Sequence, residues 1–99
     1  MISLKIHRSY RVVVAICDTD LIGKRFEEGK RQLDCRQNFY EDRKIDFKDA
    51  VKVIEMQSYE DATFNIVGPN SIKASIEAGI ISKEDVDKIQ GIPFALTLV

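Results

Sequence analysis

Residues 2–7 alternate cleanly, with Ile2, Leu4 and Ile6 on one side and Ser3, Lys5 and His7 on the other. That period of two predicts a half-buried strand. After Arg8-Ser9, residues 10–17 read Y-R-V-V-V-A-I-C, a continuous β-branched run suited to a central strand covered on both faces. The two segments predict an antiparallel hairpin. Asp18-Thr19-Asp20 ends the run, and Gly23 closes a turn, since Asp side chains bond nearby backbone N–H groups. Residues 25–28 and 31–35 are two short strand candidates turning at Gly29-Lys30, followed by the apolar pair Phe39-Tyr40 and a charged loop, 41–44.

Helical spacing first appears after Asp46. Phe47, Ala50, Val51 and Ile54 fall at i, i+3, i+4 and i+7, and Asp46 with Asp49 makes an acidic N-terminal cap. This helix fades at Gln57-Ser58. The chain is then organised around residues 62–79, where an apolar run stops at Gly68-Pro69 and an Ala-rich helix runs to Gly79. Pro at the first helical position and Gly past the last turn are the expected punctuation. A second capping pattern, Ser82 with Asp85, predicts a short helix closed by Gly91. Residues 92–99 form a last strand, with Pro93 near its start, where a missing N–H costs least.

Strands before helices, with a mixed order later, predict an α+β fold: a mixed, largely antiparallel sheet of about five strands with two or three helices packed on one side. Its expected core is Leu4, Ile6, Val12, Val14, Ile16, Phe47, Val51, Ile54, Phe64, Ile66, Ile72, Ile76, Ile89, Leu96 and Leu98. Ninety-nine residues make a single compact domain, 1–99. No apolar run approaches the ~20 residues of a membrane span, and the N-terminus lacks the apolar segment of a secretory signal. A cytoplasmic location is expected.

The net charge of −1 hides an asymmetry, because residues 1–45 carry ten Lys/Arg against seven Asp/Glu and residues 46–99 carry five against nine. The imbalance falls short of the basic footprint of a domain that binds nucleic acid by charge alone. Two Cys and one His do not supply the four ligands of a structural zinc site, so no metal and no cofactor are expected. His7 has no nucleophile beside it in sequence, which leaves a hydrolytic triad unsupported and makes an enzyme the less favoured class.

Three groups of residues could meet a ligand. Asp18, Asp20 and Lys24 at a strand end could hold a cation or perform acid–base work, although turn chemistry explains them as well. Asn65, Gly68, Asn70 and Ser71, with Lys73 nearby, surround a helix start whose N–H groups suit an anion. Lys5, His7, Arg8 and Arg11, continuing to Lys24 and Arg25, form a basic set that could contact RNA beside Tyr10, Phe39 and Tyr40.

The runs C-D-T-D-L-I-G-K-R-F-E-E-G (17–29), N-I-V-G (65–68), I-E-A-G (76–79) and G-I-P-F-A (91–95), with the opening I-S-L-K-I-H-R, resemble the small archaeal family known as domain of unknown function 424. The resemblance spans nearly the whole chain and implies a stand-alone cytosolic archaeal protein of no established activity. The resulting expectation is a non-enzymatic binding module contacting RNA or the translation machinery. The alternatives are a small-molecule or nucleotide-phosphate binder using the Asp18/Lys24 and Gly68 loops, and a protein-binding adaptor.

Overall fold

The computed structural model describes residues 1–98. Its main sheet has six strands in the order β5-β1-β2-β6-β8-β7: β1 (Ile2–Arg8), β2 (Val12–Asp18), β5 (Arg43–Ile45), β6 (Ala62–Val67), β7 (Asp87–Ile89) and β8 (Ile92–Leu98). Every neighbouring pair is antiparallel except β2 with β6, which run parallel in the middle of the sheet. The fold is therefore the expected mixed, largely antiparallel α+β arrangement, with six strands in the main sheet.

Alternation sorts the sheet's two faces. Leu4, Val14, Ile16, Phe64 and Ile66 point to one side, where they pack with Ala50 and Ile54 of α2 (Phe47–Gln57) and Ile72 of α3 (Pro69–Glu77). Ala15, Cys17 and Val67 point to the other. That second face is covered by a separate two-stranded hairpin, β3 (Arg25–Glu28) with β4 (Arg31–Asp34), and by the single-turn helix α1 (Gln37–Tyr40). β2 is thus buried between two layers, as its unbroken apolar run requires. No helix among the described residues is long and apolar enough to cross a membrane.

Two expectations fail. Ser82 and Asp85 do cap a helical turn, but it lasts only Lys83–Asp85 and gives way to β7 rather than continuing to Gly91. A single turn is costly to nucleate, and pairing residues 87–89 with β8 offers their backbone groups a ladder instead. More important for function, Leu96 and Leu98 are not core: they are 67% and 60% exposed. They share a face with Phe94, and the β3–β4 hairpin reaches only the first half of β8, where Arg31 lies over the Phe94 ring. Of the rest of the expected core, Ile6, Val12, Phe47, Val51 and Ile76 are half-buried against it.

Candidate functional site

The residues singled out in the sequence do not form one site. Asp18 ends β2 beside the bend at Gly68, and its carboxylate is buried there. One oxygen accepts from the Asn70 backbone N–H and side-chain amide, both at 3.1 Å; the other accepts from the Ser71 N–H and hydroxyl, both at 2.8 Å. The first turn of a helix needs acceptors and favours negative charge, and here a neighbouring strand supplies both. Gly68 makes the approach possible. Its φ is +106°, and a Cβ there would fall 2.5 Å from the Asp18 Cγ. The anion seat at Gly68, Asn70 and Ser71 thus holds the protein's own carboxylate.

Asp20 and Lys24 are exposed and make no ion pair with Asp18 or with each other. Lys73 points away, its ammonium 6.0 Å from the centre of the Phe47 ring. Asn65 lies mid-strand in β6, opposite Leu96.

The basic set is spread along the sheet. Arg8 and Arg11 sit at the end opposite Gly68, because Arg8 pairs with Val12 while Asp18 pairs with Ile2. There they face Glu60 and Asp61. Lys5 and His7 donate to the carbonyls of Asn38 and Phe39, each at 2.8 Å, and the His7 ring stacks on Phe39. These two donors on carbonyls of a helical turn fasten α1 to the sheet. Arg25 is bound to Gln32 and near Glu27. Strand direction thus sets Arg8 and Arg11 at the end of the sheet away from the Gly68 bend, so these two groups of candidate residues do not form one surface.

Cys17 and Cys35 are unbridged and buried under the hairpin. The Cys17 thiol donates to the Asp18 carbonyl at 3.4 Å; its neighbour Cys35 and burial raise the Cys17 pKa, while Cys17 lowers that of Cys35. Burial also pushes the Tyr40 phenol up. Among the described residues no group of three or more His, Cys, Asp or Glu is placed to hold a metal ion.

Two features escape a reading of the sequence. The first is the outer edge of β8. β7 pairs only with Ile92, Pro93 and Phe94, so residues 95–98 have a neighbour on one side alone. The Gly68 N–H binds the Pro93 carbonyl at 2.8 Å, which turns the backbone groups of Pro93, Ala95 and Thr97 toward β6. Those of Leu96 and Leu98 consequently face outward. The second is a groove of about 410 Å³ between α3, β7 and the start of β8. The run A-L-T-L at 95–98, free of charge and Pro, was the available hint to the first; nothing local hinted at the second.

Comparison with known proteins places the chain. A search of curated proteins returned no match. A crystal structure of an uncharacterized conserved protein from Methanopyrus kandleri is similar, with a TM-score of 0.88 and 27% identity, over 99% of this chain and 90% of that one. The model of the family described as "Protein of unknown function (DUF424)" matches residues 6–99. On the extent of that match, this chain belongs to the DUF424 family.

Proposed function

We propose that this protein is a non-catalytic binding module that takes an extended segment of another protein along the open edge of β8. One observation carries the reading: Leu96 and Leu98 stand exposed on the part of β8 beyond β7, where the outward backbone groups have no partner among the described residues. Strand addition uses such an edge, with main-chain hydrogen bonds giving affinity and alternate side chains giving selectivity. Native proteins usually blunt open edges with charge or Pro, whereas residues 95–98 read A-L-T-L. Exposed Tyr10 and Tyr59 lie in loops at the same end of the sheet as Leu98. RNA is the weaker reading, because Arg8, Arg11, Arg25, Arg31 and Arg36 each lie against a carboxylate.

A photo-crosslinking residue at position 96, with one at Lys52 as control, tests this in native lysate. The expected result is a protein adduct at 96 that survives ribonuclease and disappears when Leu98→Lys is added. An adduct removed by ribonuclease, or no adduct beyond that at the control position, overturns the proposal.

A further inference from the structure

We infer that the groove between α3 and β7 is a second, independent site, taking a small anion with an apolar body such as a medium-chain alkyl carboxylate. The groove lies along α3, on the opposite side of the sheet from Leu96 and Leu98. Ile72 and Ile76 of α3, Val86 and Pro93 line it, with Lys83 and Lys88 beside them. A volume of about 410 Å³ is in the range of small-molecule sites and too small for a folded partner element.

Charge selects the head group. Residues 82–88 carry three acids and two lysines, and two of the acids, Asp85 and Asp87, are held by other partners. The Asp85 carboxylate accepts from the Ser82 N–H at 2.8 Å, closing the cap of that turn. Asp87 meets Arg31 at 2.7 Å and accepts from the Lys88 N–H. The Ser82 hydroxyl donates to the same Asp85 carboxylate at 3.2 Å. Lys83 and Lys88 form no ion pair among the described residues, so two lysines without a carboxylate partner border the apolar groove. The α3 N–H donors add nothing here, since Asp18 already binds them. A hydrocarbon chain on the Ile and Pro surface with a carboxylate at the lysines satisfies both.

The test is an NMR titration of the full chain with octanoate, octanol and octyltrimethylammonium. Octanoate is expected to shift the amides of Ile72, Ile76, Val86 and Lys88 saturably, and the quaternary ammonium is not. Lys83→Gln with Lys88→Gln should weaken octanoate about tenfold, the size of two partly exposed charge contacts, and leave octanol unchanged. Both lysines are exposed, so the double variant folds, which its amide spectrum verifies. Shifts elsewhere, no saturable shift, or octanol binding as tightly as octanoate would overturn the assignment. Crosslinking at position 96 is unaffected by any of these outcomes.

Discussion

Replacing Asp18 with Ala removes the acceptor for four hydrogen bonds at one stroke. They are not equal. Asn70 is exposed, so water can take over its N–H and amide; Ser71 is fully buried, so its N–H and hydroxyl lose their partner with no replacement. A buried donor left unsatisfied costs about 1–3 kcal/mol, and losing a charge at a helix N-terminus costs about 0.3–1 kcal/mol more. Allowing for non-additivity, Asp18→Ala should lose about 3–4 kcal/mol, a large part of the ~5–15 kcal/mol that keeps such a domain folded. With a urea slope near ~2 kcal/mol/M, the midpoint falls by about 2 M at unchanged slope. Asp18→Asn keeps the volume but turns an NH₂ toward donors, and should lose more than half as much. Asp20→Ala, on the exposed turn beside it, should stay within about 0.5 kcal/mol of the parent. If Asp18→Ala also stays within about 1 kcal/mol, the carboxylate does not hold the helix and the account of this junction is wrong.

Gly68→Ala should be the costliest glycine substitution, at about 3 kcal/mol or more, because it combines a strained φ with collision against Asp18. Gly91→Ala, also at positive φ but with open space around it, should lose only about 1–2 kcal/mol, and thermal melts of the pair give the comparison. Tyr40 sets an alkaline limit. Its raised pKa means the folded state keeps a proton that the unfolded chain gives up above about pH 10, so stability is complete below that point and falls as pH rises toward the folded value. Tyr40→Phe should flatten that decline in urea melts repeated across the alkaline range, leaving the contribution of the cysteine pair, in which the raised Cys17 thiol acts in the same direction and the lowered Cys35 thiol in the opposite one.

Sequence pattern carried most of the architecture because burial imposes it. Alternation at Ile2, Leu4 and Ile6 and the helical spacing of Phe47, Ala50 and Ile54 both record which side chains leave water, and both elements formed as read. β5 and α1 were missed, since three or four residues are too few to express a period. The error at Leu96 and Leu98 has a different origin. Their alternation correctly reports a strand, but whether a face is covered depends on how far a hairpin seventy residues earlier extends. Site residues were harder still. Asp18 and Ser71 were each noted for separate reasons, and only the parallel pairing of β2 with β6 brings them together.

That central pairing also governs how the chain must assemble. Each rung joins residues roughly fifty positions apart, Val12 with Ala62 for instance, so its loop-closure entropy is high and long-range strand pairing of this kind is slow. During synthesis, β1 and β2 emerge together and can pair at once. The other side of V-V-V-A-I-C stays bare until β6 has left the ribosome, making this the interval in which nascent chains most need protection from aggregation.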